Sequence, residues 1–196
     1  MTLHVNKRGV RVLGIAESFT KKEPLSRLAG VVMRKDLRID GFGLAEISVG
    51  GDDATEGVLD IFRGLERRDI NALLLNGSVI SWFNIVDLDR VREETDLPVI
   101  SLTYEESEGL EGYIREYFTH PQQKIELYRS LGPREPLRLK TGFEVYARFL
   151  GATAEETKGL LNSFTLEGKV PEPLRVARLL ARSILRADAG LMAEKR

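Results

Sequence analysis

A chain of 196 residues can bury one substantial core, or one domain with a helical appendage, but two domains of ordinary size would be cramped. Its 29 Lys and Arg stand against 30 Asp and Glu, a net charge of −1, so any attraction to nucleic acid or membrane must come from a local basic cluster. Cysteine is absent, which excludes disulfides, thiolate catalysis and cysteine-based zinc sites. His4 and His120 are the only histidines, too few for imidazole-rich metal sites, so carboxylates with a hard cation remain. No apolar stretch approaches the roughly 18 residues of a membrane-spanning helix. A charge interrupts every short apolar run in "MTLHVNKRGVRVLGI", and the expectation is a soluble, cytoplasmic protein without a signal peptide.

In chain order, "GVRVLGIA" (9–16) is rich in β-branched residues and predicts a first strand, "RLAGVVMR" (27–34) a second and "FGLAEISVG" (42–50) a third. The connector "KDLRIDG" between the last two has a Gly at its end and fits a hairpin. The period then changes: Val58, Ile61, Phe62 and Leu65 share one helical stripe. "INALLLN" (70–76) is a continuous apolar run, the pattern of a strand buried on both faces of a parallel sheet. "NIVDLDRVREETD" reads as a helix and "LPVISLTY" as a fifth strand. The order β-β-β-α-β-α-β, with right-handed crossovers, predicts a mixed sheet covered on both faces. The remaining third reads as helical, in "EGLEGYIREYF", "QQKIELYRSL", "GFEVYARFLG" and "PEPLRVARLLARSILRA". These stripes are most simply buried on the same sheet, giving a single domain over 1–190 and a frayed tail at 191–196.

Six stretches, "RVLGIAESF", "AGVVMRKDLRIDGF", "ISVGGDDATEGVLDIF", "LLLNGSVISWFNIVDLDRV", "LPVISLTYE" and "GKVPEPLRVARLLA", resemble an archaeal family known as domain of unknown function 99, itself similar to endonuclease V. The resemblance implies a ribonuclease H-like α/β fold, three αβα layers around a mixed five-stranded sheet. It also implies DNA or RNA as partner, and cleavage near deaminated bases with Mg²⁺ or Mn²⁺ held by acidic side chains. The endonuclease V pattern has an Asp ending the first strand, an acid after the third, an Asp-Gly after the fourth and a Lys after the fifth. This chain departs from it: the first position is Ala16, the third is Asn76-Gly77, and "ISLTYE" has no Lys. Two readings follow, a nuclease-fold protein that binds or cuts nucleic acid through an altered metal site, and a catalytically silent module that binds a small ligand or a protein.

The topology places the ends of the first, third and fourth strands together, where open α/β sheets bind ligands. Glu17, Asp52, Asp53 and Asn76 are therefore the candidate catalytic residues, with Asp52 and Glu17 as metal ligands. Asn76 offers an amide oxygen without charge, so cation binding is expected to be weak. Each residue also has a plain structural role. Glu17 faces away from Ala16 unless the strand bulges, and Asp53 can cap a helix in a capping box with Glu56. Trp82 and Phe83 can stack on bases or pack in the core, and Asn84 can read a base edge or cap the helix that follows. Arg175, Arg178, Arg182 and Arg186 form one helical stripe. With Arg34, Lys35 and Arg38 this stripe is the expected phosphate-binding surface, or else a solvated helix face.

Overall fold

The computed structural model describes residues 9–193, and the side chains of 9–188. Strands β1 (Arg11–Ser18), β2 (Leu25–Arg34) and β3 (Ile39–Ser48) form an antiparallel meander, and the β2–β3 pairing shifts register between Val32 and Met33. Helix α1 (Ala54–Gly64) crosses over to β4 (Ala72–Leu75), which pairs parallel to β1. A two-stranded hairpin, β5 (Val79–Ile80) and β6 (Asn84–Ile85), precedes α2 (Leu88–Thr95) and β7 (Val99–Thr103), which lies parallel to β4. The chain continues through α3 (Glu111–Tyr117), α4 (Gln122–Ser130), β8 (Glu135–Arg138), β9 (Glu144–Leu150), α5 (Ala154–Phe164) and α6 (Glu172–Ala193).

The main sheet has seven strands in the order β3-β2-β1-β4-β7-β9-β8, so the expected mixed sheet is present but the count of five falls short. The two added strands come from the segment expected to be all helix. "GFEVYARFLG" is β9, antiparallel to β7, with Val145 and Ala147 buried at strand spacing. Its Val145 and Phe149, four residues apart, imitate a helical stripe, whereas the alternation of Val145, Ala147 and Phe149 is the period that the sheet uses. Helix α5, unforeseen, carries a complete capping box between Thr153 and Glu156. The expected β2–β3 hairpin turns at Lys35–Arg38 with Leu37 left-handed (φ 66°), and the connector's glycine, Gly41, lies within β3. Helix α6 runs to Ala193, so 191–193 continue the helix where fraying was expected, and 194–196 lie outside the described residues.

Alternation along the central strands sends side chains to two cores. Leu13, Ile15, Leu28, Ile47, Leu73, Leu75 and Val99 pack beneath α1 and α2. Val12, Ala16, Val31, Leu74, Ile100 and Leu102 pack beneath α5 and α6, with Phe164, Leu174 and Ala177. A third cluster, Ile85, Ile114 and Ile125, seats α3 and α4 on the small hairpin. Among the described residues no helix is long and apolar enough to cross a membrane.

Gly14 governs the seating of α6. A Cβ there would lie 2.7 Å from Pro173 Cβ and 2.8 Å from the Pro173 carbonyl carbon, so the first turn of α6 rests directly on the β1 backbone. The helix then advances toward the carboxyl end of β1, where the candidate site lies.

Candidate functional site

β1, β3, β4 and β7 point the same way, so Ser18, Ser48, Leu75 and Thr103 end on one side of the sheet. Ala16-Glu17, Asp52-Asp53 and Asn76-Gly77 are therefore brought to one end, but their oxygens are already engaged or turned apart. Ala16 is packed into the core beneath α6. Glu17 turns to the opposite layer, toward Ser26 and Ser81. Burial pushes its carboxyl above the usual carboxylate range, and the Ser81 backbone N–H, the Arg178 guanidinium and the Ser26 hydroxyl pull it partly back. Its Oε2 is buried without a hydrogen-bond partner.

Asn76 lies on the α6 side, where its Oδ1 accepts from the Tyr104 hydroxyl at 2.9 Å. Burial raises the Tyr104 phenol and Arg178 opposes it, which places that guanidinium within electrostatic reach of both Tyr104 and Glu17. A lysine does reach the end of β7. It is Lys169, from the loop before α6, whose Nζ donates to the Tyr104 carbonyl (2.8 Å) and to Glu105 (2.6 Å).

Asp53 occupies the N-cap position of α1 but makes no side-chain cap there. Its carboxylate instead accepts from Ser48 N (3.0 Å to each oxygen), Ser48 Oγ (2.8 Å) and Asn84 Nδ2 (2.6 Å). Burial alone would raise this carboxyl, yet those hydrogen bonds together hold it below the usual range. Glu56 completes no capping box, because it pairs with Arg90 and Arg63. The amide that caps α1 comes from across the fold: buried Asn84 accepts from Ala54 N at 2.9 Å and donates to Ser48 O and Asp53. Asn84 is thus neither the cap of α2, a role held by Asp87, nor free to read a base edge.

Asp52 is ion-paired with Lys124 (2.5 Å), a side chain only 8% exposed. The same Nζ donates to Gly51 O (2.6 Å) and Phe83 O (3.1 Å), so one ammonium ties the β3–α1 turn to the β5–β6 turn. The tie could not be read from sequence, since 72 residues separate Lys124 from Asp52 and the α4 stripe marks position 124 only as helical.

These side chains do not suit a divalent cation. Ala16 has no donor atom, the Asn76 oxygen accepts from Tyr104, Asp52 is neutralised by Lys124, and Asp53 is saturated by Ser48 and Asn84. Among the described residues no three His, Asp or Glu side chains come close enough to share an ion.

Trp82 and Phe83 sit on a three-residue left-handed run, Ser81 (φ 44°), Trp82 (φ 62°) and Phe83 (φ 62°). Such backbone costs of order 1 kcal/mol or more per non-glycine residue and persists only where its surroundings hold it. Buried Ser81 anchors one side, its Oγ 2.7 Å from Ser26 Oγ and its carbonyl accepting from Gly50 N, and Asn84 anchors the other. The two rings are partly buried, edge-to-face at 5.0 Å, with Phe83 packed against the Ile85, Ile114 and Ile125 cluster and exposed Tyr117 stacked near Phe83 and tilted against Trp82. Lys21 Nζ lies 3.3 Å over the Trp82 ring.

The basic residues divide. Arg34 and Lys35 lie at the opposite end of the sheet from the cleft, and Arg34 and Arg38 are paired with Asp36, so they form no common surface with the α6 stripe. Arg175 pairs with Glu172. Arg178, Arg182 and Arg186 make no ion pair among the described residues, whereas Arg11, Arg27, Arg63, Arg67, Arg90 and Arg129 are each paired.

Solved structures define the class to which this fold and sheet end belong. A protein of unknown function from Archaeoglobus fulgidus superposes with a TM-score of 0.76 at 26% identity, covering 89% of this chain and 98% of that one. Endonuclease V from Ciona intestinalis, solved with a 24mer DNA containing an inosine, superposes at 0.59 with 12% identity over 92% and 87% of the two chains. Argonaute from Marinitoga piezophila gives 0.52 at 15% identity, over 90% of this chain and 30% of that one. The architecture is that of an endonuclease V-like α/β protein. Within that class, the family profile described as endonuclease dU matches residues 8–185, and the chain belongs to that family. A UPF0215 protein of Pyrobaculum aerophilum is 34% identical over 86% of this chain and 91% of its own length, and one of Methanocaldococcus jannaschii is 30% identical over 91% and 96%.

Proposed function

We propose that this protein binds single-stranded nucleic acid across the carboxyl end of a ribonuclease H-like sheet, and does so without the metal-centred cleavage that the endonuclease V pattern implies. The observation that carries this reading is the row Arg178, Arg182 and Arg186, which forms no ion pair among the described residues although most other described arginines do, and of which Arg178 acts on Glu17 only through its field. A guanidinium without a carboxylate partner is available for a phosphate. The partly buried Trp82 and Phe83, with exposed Tyr117 and with Lys21, add a ring surface for bases at the same sheet end. Glu17, Asp52, Asp53 and Asn76 then organise the loops of the cleft and hold no metal. The silent-module alternative has no comparable observation behind it.

Fluorescence anisotropy with labelled single-stranded DNA and RNA oligomers at low salt tests the reading. Binding should weaken steeply with ionic strength, and Arg178→Ala with Arg182→Ala should shallow the log–log salt slope by roughly two units. Trp82→Ala should weaken binding with little change of slope, because stacking releases few counterions. Failure to bind either nucleic acid would overturn the proposal.

A further inference from the structure

A groove of about 630 Å³ opens between the β1–β2 turn and the second half of α6, beginning at Ser18, one residue beyond Glu17. One wall is the turn, with Phe19, Pro24 and Leu25, and the facing wall is Leu185 with Arg182 and Arg186. Arg27 forms the floor. Its Nε donates to Asp188 Oδ2 at 2.6 Å, and its Nη1 lies 2.7 Å from Glu46 Oε1 without hydrogen-bond alignment. The floor is thus neutralised twice over. Glu23 on the turn also lines the groove, yet the two arginines of the wall form no ion pair with it or with any other acid among the described residues.

The groove combines apolar walls, suited to the faces of a planar ring, with two guanidiniums that form no ion pair among the described residues and stand about one helical turn, or about 6 Å, apart. We infer that it is a subsite for one nucleoside monophosphate unit, the base lying between Phe19, Leu25 and Leu185 and the phosphate held by Arg182 and Arg186. The volume lies within the range of small-ligand pockets, roughly 300–1,000 Å³. A purely apolar partner would leave both arginines desolvated and unpaired, and a phosphate alone would leave the ring-shaped space unfilled. The inference rests on the nucleic-acid reading above only for the source of the unit, a nucleotide adjoining the one in the cleft. The groove itself makes a claim that a free mononucleotide can test.

The probe is deoxyadenosine 5′-monophosphate, with deoxyadenosine and inorganic phosphate as controls, titrated into the whole protein while backbone amide shifts are followed by NMR. The monophosphate should shift amides at 18–27 and 182–188 and saturate at about 0.1–1 mM. Deoxyadenosine and phosphate should each bind at least tenfold more weakly, and Arg182→Ala with Arg186→Ala should abolish saturation while leaving the dispersed spectrum of a folded protein. Leu185→Asp, which turns an apolar wall of the base into a charge that can pair with the neighbouring arginines, should also abolish it. Phosphate binding as well as the mononucleotide, or shifts lying outside the groove, would overturn the inference. Strand binding that survives while the mononucleotide fails removes the subsite and leaves the proposed function standing. The converse, a saturable groove with no strand binding, keeps the subsite and removes that function.

Discussion

Glu17 and Asp53 meet the same end of the sheet with opposite proton affinities, and this makes their stability signatures separable. Burial raises the Glu17 carboxyl in the folded state, so its favourable contribution is complete below the unfolded value of about 4.5 and is lost as pH climbs through the folded value. Above that range the buried charge is a liability. Glu17→Gln should therefore melt higher than the parent at pH 7, with the difference shrinking as pH falls toward 4 in thermal denaturation scans. A difference independent of pH would show that the carboxyl is not held as described. Asp53 is depressed, so its contribution is present above about 3.8 and is lost only as acid takes the pH through its lower folded value. The site residues were legible as positions and not as partners. Strand ends can be located from apolar runs, which is why 17, 52, 53 and 76 fall together. Which group completes each one depends on Asn84, Tyr104 and Lys124, 28 to 72 residues away, and local pattern carries no such information.

At the scale of elements, the contact between Gly14 and Pro173 ties α6 to β1 more closely than side-chain packing would. Gly14→Ala introduces a Cβ at 2.7–2.8 Å from proline atoms that include backbone, so the helix has to shift. A loss of about 1–3 kcal/mol is expected in urea unfolding, in keeping with overpacked cores. Because α6 carries Arg178, Arg182 and Arg186, weaker strand binding should accompany that loss. Stability lost with binding intact would show that the cation row does not depend on this seating. The meander, the parallel β4–β7 pair and α6 follow from sequence because their periods are unambiguous, with "INALLLN" buried on both faces. β9 was misassigned because its apolar residues satisfy both periods. Pairing with β7 decides between them, and that is a long-range event. The aromatic turn is ambiguous for another reason: three non-glycine residues with positive φ have no propensity signature, and buried Ser81, the first of them, together with Asn84 after them holds them there.

Over the whole molecule, charge is nearly balanced in number and uneven in placement. Ion pairs cover the α1–α2 surface, where Arg63 and Arg90 meet Glu56 and Glu94, whereas Arg178, Arg182 and Arg186 of α6 form none among the described residues. The carboxyl end of the sheet is tied by Lys124, whose ammonium gathers Gly51 O, Asp52 Oδ1 and Phe83 O. Differential scanning calorimetry should give the same midpoint with millimolar Mg²⁺ or with EDTA, whereas Lys124→Met, which strands two carbonyls and one largely solvated carboxylate, should cost about 1–3 kcal/mol. Stabilisation by Mg²⁺ that vanishes in Asp52→Ala would instead reveal a cation site there. A tethered ammonium differs from a bound ion in kind: it has no dissociation constant, cannot be competed away, and arrives at a fixed stoichiometry of one per chain. The link between the β3–α1 and β5–β6 turns is therefore one that folding itself supplies.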